Sequence, residues 1–167
     1  MGTGGAKGAG LRYILDTSVF IQAWQRIMPP DVAPGFWERL GALIASGAAR
    51  SPDEVLVELE KKDDEVAKWC KERKEALFLP IDVPHQFQVK QVLKSYPRLV
   101  DTRKDRSMCD PWVIAFAKVH GAAVVTAEGR THNLTSPKIP DVCDAMAIKC
   151  LGVWDVIRAE KWKVSFE

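Results

Sequence analysis

Four acidic residues stand where apolar segments of this chain begin or end: Asp16 in YILDTS, Glu58 in PDEVLVELE, Asp110 in CDPWVIAFAK and Glu128 in VVTAE. Carboxylates brought together repel by about 4 kcal/mol per close pair at an effective dielectric of about 20, so such a cluster takes up protons or a cation. A hard divalent cation, Mg²⁺ or Mn²⁺, favours oxygen ligands and keeps several waters. In phosphoryl chemistry it polarises the phosphate and lowers the pKa of a bound water. The histidines, His85, His120 and His132, and the cysteines, Cys70, Cys109, Cys143 and Cys150, show neither a neighbouring pair nor CxxC spacing that would suggest zinc. Each acid also has a plainer reading. Asp16 and Asp110 are candidate helix caps, Glu128 a loop residue, and Glu58 a solvated rim residue with Glu54 as its rival one turn earlier.

The elements that must position these acids follow from the apolar pattern. Tyr13-Ile14-Leu15 is a short continuous apolar run, the mark of a strand covered on both faces, so Asp16 lies at its carboxyl end. Thr17 or Ser18 then caps a helix whose apolar positions run to Ile27, where Pro29-Pro30 stops it. A second helix covers Phe36 to Ala45. Ser51-Pro52-Asp53-Glu54 reads as a helix start, with Ser51 as cap, Pro52 in the first turn and Val55, Leu56 and Leu59 as the core stripe. Glu58 lies roughly 60° around that helix from Val55, at the border of the stripe.

A charged helix over Asp63 to Ala76, a strand at Leu77 to Ile81 and a helix over Pro84 to Tyr96 come next. A polar connection to Cys109 precedes a buried helix through Trp112 to Val119, ended by Gly121. Ala122 to Thr126 is a further strand, and Thr126-Ala127-Glu128 repeats the pattern of polar and acidic groups at a strand end. The remainder predicts a helix near Asp141 to Met146, a small strand at Ile148 to Cys150 and a last helix near Val153 to Glu160. Strands alternating with helices predict a doubly wound α/β sheet, in which ligands bind outside the carboxyl ends of the strands.

Composition bounds the alternatives. A chain of 167 residues, 47% hydrophobic, supports one domain with a substantial core. Net charge is only +2, so any electrostatic footprint must come from local clustering. No apolar run approaches the ~20 residues needed to cross a bilayer, so a cytoplasmic protein with no membrane association is expected. The cysteines are expected as buried free thiols. Residues 1–10 are Gly-rich and read as a flexible leader or an expression remnant, leaving 11–167 as the single domain.

In order and intervening elements, Asp16, Glu58, Asp110 and Glu128 resemble the acids of PIN-domain nucleases, over about Arg12 to Trp154. The resemblance implies a three-layer α/β/α fold with a central parallel sheet and metal-dependent RNA cleavage. It also implies, for many members, a role as the VapC-like toxin of a toxin–antitoxin pair. By it, Asp16, Glu58 and Asp110 are the principal Mg²⁺ or Mn²⁺ site residues, with Thr17 or Ser18 orienting a ligand and Thr126 in support. Many PIN domains place Asp where this chain has Glu128, and Asp141 in IPDVC is a rival or an addition. The connection before Asp110 and the IPDVC tail are most similar to an uncharacterised PIN-like branch.

Arg98, Arg103, Lys104 and Arg106 precede Asp110, and Arg130 and Lys138 follow Glu128. Basic loops beside an acidic metal site are suited to hold the phosphates of an RNA substrate that the acids alone would repel. An antitoxin protein and a second copy of the chain are the other partners expected. The competing reading is a degenerate, non-catalytic PIN scaffold that binds RNA or protein. A haloacid-dehalogenase-like phosphatase would need a second Asp two residues after the first, where this chain has Ser18.

Overall fold

The computed structural model describes residues 10–100 and 108–164. Five strands form one parallel sheet: β1 (Tyr13–Leu15), β2 (Ala49–Pro52), β3 (Phe78–Leu79), β4 (Ala123–Val125) and β5 (Cys150–Leu151), in the order β3-β2-β1-β4-β5. The helices are α1 (Thr17–Gln22), α2 (Pro34–Ala45), α3 (Asp53–Glu60), α4 (Glu65–Lys71), α5 (Lys74–Leu77), α6 (Val83–Ser95), α7 (Asp110–His120), α8 (Ile139–Ala145) and α9 (Val153–Ala159). A π turn, Ala23–Ile27, prolongs α1 up to Met28 and the proline pair. The sheet is flanked by helices, a PIN-like α/β fold.

β1 lies at the centre of the sheet and all three of its residues are buried. The chain leaves β1 towards β2 and β3, then crosses to β4 and β5 on the other side. Right-handed crossovers taken in opposite directions place their helices on opposite faces, and the carboxyl ends of β1 and β4 flank the point where the direction reverses. Asp16 follows one of those ends and Thr126 the other. The core on this frame includes Ile14, Phe20, Ile44, Leu77, Ile114 and Phe116, all at 1% exposure or less.

Several elements depart from the sequence reading. Residues 49–52 form a strand, although Ala-Arg-Ser-Pro has little strand propensity. Pairing of Tyr13 with Ala49 and Ile14 with Arg50 makes it one, a tertiary cause invisible in the local pattern. Ser51 is therefore no helix cap. Its buried hydroxyl donates to the Leu15 carbonyl at 2.7 Å, and Pro52 takes the N-cap position of α3 with no side-chain cap. The expected helix over 63–76 is two, α4 and α5, the first capped by Asp64, which accepts from Ala67 N–H at 3.2 Å. Likewise the strand at 77–81 shortens to Phe78–Leu79, because Pro80 has no N–H to extend the ladder.

Ser51→Ala removes the donor and leaves the buried Leu15 carbonyl unsatisfied on that side. Loss of about 1–3 kcal/mol is expected, or about 2–4 °C in Tm for each kcal/mol. A Tm equal to that of the wild type would show that the strand does not depend on this bond.

α6 and α7 pack along each other, joined at one end by two histidines. Asp82 N–H donates to His85 Nδ1 at 3.0 Å, and His85 Nε2 meets His120 Nε2 at 2.9 Å. With Nδ1 an acceptor, neutral His85 carries its proton on Nε2 and donates it to His120. The His85 ring stacks on Phe116 at 3.7 Å between centroids. Burial pushes both imidazole pKa values below the usual range, helped at His85 by His120 and at His120 by the Arg50 charge, with Asp82 opposing at His85.

Candidate active site

β1 ends where its apolar run ends, and Asp16 is the first residue that need not pack on both faces. Its backbone occupies the N-cap position of α1 in extended conformation, yet its carboxylate makes no capping bond. Instead Oδ2 accepts the Ser18 hydroxyl at 2.6 Å and the Thr126 hydroxyl at 3.0 Å. Those hydroxyls accept in turn from Ala127 N–H at 2.9 Å and Glu128 N–H at 3.1 Å. Each hydroxyl thus spends its single proton on Asp16 and is oriented by the loop after β4. Asp16 Oδ1 takes part in none of these bonds.

Asp16 is 3% exposed, and its pKa is pushed up to about 6. Burial is the main cause; the Ser18 and Thr126 hydroxyls oppose it, and the charges of Glu128 and Glu58 add to it. Cys109, at the N-cap position of α7, registers the same neighbourhood. Burial and then the charges of Glu58, Asp16 and Asp110 all push its thiol pKa up. Three of the expected acids therefore act on one buried sulfur. Thr17 donates to that sulfur at 3.9 Å, so it ties α1 to the start of α7, while Ser18 is the hydroxyl bonded to Asp16.

Asp110 is the first residue of α7, buried at 5% exposure, where a carboxylate also meets the positive end of the helix dipole. Glu58 and Glu54 are both half-buried on α3, and it is Glu58 whose charge is felt at Asp16. Glu128 is half-buried, and its Oε2 accepts from Ile139 N–H at 3.2 Å, linking it to the start of α8. As the chain is folded here, no three His, Cys, Asp or Glu side chains among the described residues are gathered tightly enough to enclose an ion. The donor set nonetheless fits a hard cation: carboxylate and hydroxyl oxygens, with a carboxyl whose burial and two acidic neighbours all raise the cost of its uncompensated charge.

Asp141 sits differently. Its Oδ1 accepts from Thr131 N–H at 2.8 Å and His132 N–H at 2.9 Å, and its Oδ2 from the Thr131 hydroxyl at 2.5 Å and Lys138 N–H at 2.9 Å. Four donors fill the four lone-pair positions of one carboxylate. Burial pushes this acid up, but the Thr131 hydroxyl and the three backbone N–H groups outweigh it and bring the pKa down to about 2. The observed bonds are those of a clasp that shapes residues 131–138. Thr131 is the partner the sequence did not suggest, since nothing marks it before the loop closes.

A carboxyl with a depressed pKa stabilises the fold above its unfolded pKa and loses that contribution as pH falls towards the folded value. Asp141→Asn is therefore expected to cost about 1–2 kcal/mol at pH 7 and almost nothing near pH 2. Urea titrations at the two pH values measure the difference. An equal deficit at both would mean that charge is not what the clasp uses.

Among the basic candidates, Arg130 is committed to a two-pronged ion pair with Asp144, at 2.8 and 3.0 Å. Arg103, Lys104 and Arg106 lie outside the described residues. No helix among the described residues is long and apolar enough to cross a membrane.

The fold is similar to that of VapBC from Salmonella typhimurium bound to DNA, at 17% identity and a TM-score of 0.51, covering 85% of this chain and 98% of that one. VapBC2 from Rickettsia felis, bound to a DNA fragment from its promoter, matches at 12% identity and a TM-score of 0.54 with the same coverage. VapBC-1 from nontypeable Haemophilus influenzae matches at 14% identity, a TM-score of 0.51 and again the same coverage. No curated protein sequence matches the chain. At these identities the likeness speaks for the fold, and the PIN-like architecture expected from the four acids is the one observed. At the level of sequence family, a model described as a domain of unknown function, DUF4411, matches residues 13–164, and the chain belongs to that family.

Proposed function

We propose that the protein is a metal-dependent ribonuclease that hydrolyses RNA phosphodiester bonds at the carboxyl edge of its sheet. The observation that carries the reading is Asp16, buried at the switch point with its pKa pushed up to about 6, mainly by burial and further by the charges of Glu128 and Glu58. Keeping a carboxyl in that state has no structural use where its backbone already starts a helix without it. Asp16, Glu58 and Asp110 would hold Mg²⁺ or Mn²⁺, with Glu128 as an outer acid. The ion, when bound, supplies charge to polarise the phosphate and acidify a water.

The chain's own residues then have definable tasks. Ser18 and Thr126 hold Oδ2 of Asp16 and leave Oδ1 to face a ligand. Glu128 is anchored by Ile139 N–H through one oxygen, and its charge is felt at Asp16. Arg103, Lys104 and Arg106 precede Asp110 and are the residues proposed to hold RNA phosphates. Arg130 is a weaker candidate, because binding RNA would require it to leave Asp144. A toxin role with a cognate antitoxin, in a cytoplasmic setting, completes the reading, and a homodimer is compatible with it.

One observation favours the scaffold reading instead, namely that no three acids among the described residues are gathered around one point. A single assay separates the two. Purified protein incubated with labelled single-stranded RNA should cleave it in Mg²⁺ or Mn²⁺ and fail to do so in EDTA. Absence of cleavage with either metal, across RNAs of varied sequence, would leave the scaffold.

A further inference from the structure

The nuclease reading uses none of the thiols, yet two of them meet beside the site. Cys143 on α8 is fully buried, Cys150 on β5 is partly exposed, and the two thiols lie near enough for each to act on the other's proton. The backbone makes the meeting a fixed one. Ile148 N–H donates to Cys143 carbonyl at 2.9 Å, turning the chain back after α8, and Cys150 is then held in the sheet by its register with Val124. The remaining thiols are elsewhere: Cys70 buried on α4, and Cys109 against Thr17.

We propose that Cys143 and Cys150 are a redox-active dithiol, which a low-molecular-weight disulfide of the glutathione type converts to an intramolecular disulfide. Exposure assigns the roles. Cys150 is the sulfur a reagent can reach, and as a thiolate it attacks one sulfur of the glutathione disulfide, forming a mixed disulfide and expelling one glutathione thiolate. Cys143 then attacks the Cys150 sulfur and expels the second glutathione, which leaves with the Cys143 proton. Two protein thiols and one small disulfide become one protein disulfide and two small thiols, with two electrons transferred.

Two further features suit Cys150 to the first step. The neighbouring Cys143 thiol lowers its pKa, and the Arg130 charge adds to this, against burial and the charges of Asp144 and Asp16. Attack depends on the thiolate, so a shared proton and a nearby guanidinium both raise the reactive fraction. The disulfide would tie α8 to the sheet. α8 supplies Ile139 N–H to Glu128 and carries Asp141, the clasp of residues 131–138, so the bond would fix the framework of the loop beside Asp16.

The test is a thiol count on the reduced full-length protein before and after oxidised glutathione, followed by peptide mapping. The expected result is loss of two of four alkylatable thiols, a peptide pair joining Cys143 to Cys150, and full reversal by dithiothreitol. Cys143→Ser should stop at a glutathione adduct on Cys150, and Cys150→Ser should lose no thiol. Wild-type protein that retains all four thiols, stops at the adduct, or joins Cys150 to a second chain would overturn the proposal. The wild-type result decides this even if a variant fails to fold, and it does not depend on whether RNA is cleaved.

Discussion

Asp16→Asn should abolish RNA cleavage and, above pH 6, raise the melting temperature of the metal-free protein. The two effects have one origin. The carboxyl is held at about 6 against an ordinary 3.8, so between those values the folded state keeps a proton that the unfolded state has released. Stability therefore falls as pH rises from about 4 to about 6, the reverse of the usual pattern for an ion-paired acid. At 1.36 kcal/mol per pKa unit the full shift is worth about 3 kcal/mol. An amide removes that slope and can keep its oxygen on the two hydroxyls, but that oxygen accepts more weakly than a carboxylate and the N–H₂ lies in the Oδ1 position without a partner, so about 1–2 kcal/mol of net gain is expected, or about 2–4 °C for each kcal/mol.

The variant and the wild type should melt together near pH 4 and diverge up to pH 7. Cleavage should fall on the order of 10²-fold or more with the loss of a ligand charge. If the Asn variant melts lower at pH 7 and still cleaves RNA, Asp16 is a structural residue and the site lies elsewhere.

The second expected result is chemical: cleaved RNA should carry 5′-phosphate and 3′-hydroxyl ends. Attack by water on phosphorus with departure of the 3′ oxygen gives that pair. Metal-free ribonucleases use the ribose 2′-hydroxyl and an acid–base pair, leaving 2′,3′-cyclic phosphate. The histidines here do not supply such a pair at the site. His85 and His120 bond to each other on α6 and α7, and His132 lies in the loop clasped by Asp141. End-group labelling of the products decides the matter, and cyclic phosphate ends, or cleavage undiminished by EDTA, would remove the metal-water reading.

What could be read from the sequence was the frame at its apolar centre. Tyr13-Ile14-Leu15 and Ala123-Val124-Val125 are continuous apolar runs, and their ends located Asp16 and Thr126 because a buried strand must stop where its burial stops. Residues 49–52 carried no such mark. Their strand exists because β1 offers an open edge, and Ser51 shows it by turning its hydroxyl to Leu15 rather than to a helix start. The site was legible in the same uneven way. That Ser18 and Thr126 converge on one oxygen depends on two strands 110 residues apart lying side by side, which no local pattern encodes. Asp141 looked like any other acid near a helix start until the loop from 131 to 138 was seen to close on it.

The histidine contact between α6 and α7 has a consequence of its own. A neutral imidazole donating to a neutral imidazole owes nothing to ionic strength, so this seam should be indifferent to salt. Acid is another matter. Proton uptake by His120 would turn its Nε2 from acceptor to donor and set two N–H groups face to face, and His85 cannot change tautomer in answer because Asp82 N–H already occupies its Nδ1. With both pKa values lowered, the folded contact stays unprotonated at pH values where the unfolded histidines already take up protons, so the stability it gives is full above about 6.5 and declines as pH falls below that value. The contact joins the first turn of α6 to the last residue of α7, so acid should loosen that end of the helix pair first, while the packing along the rest of the two helices holds.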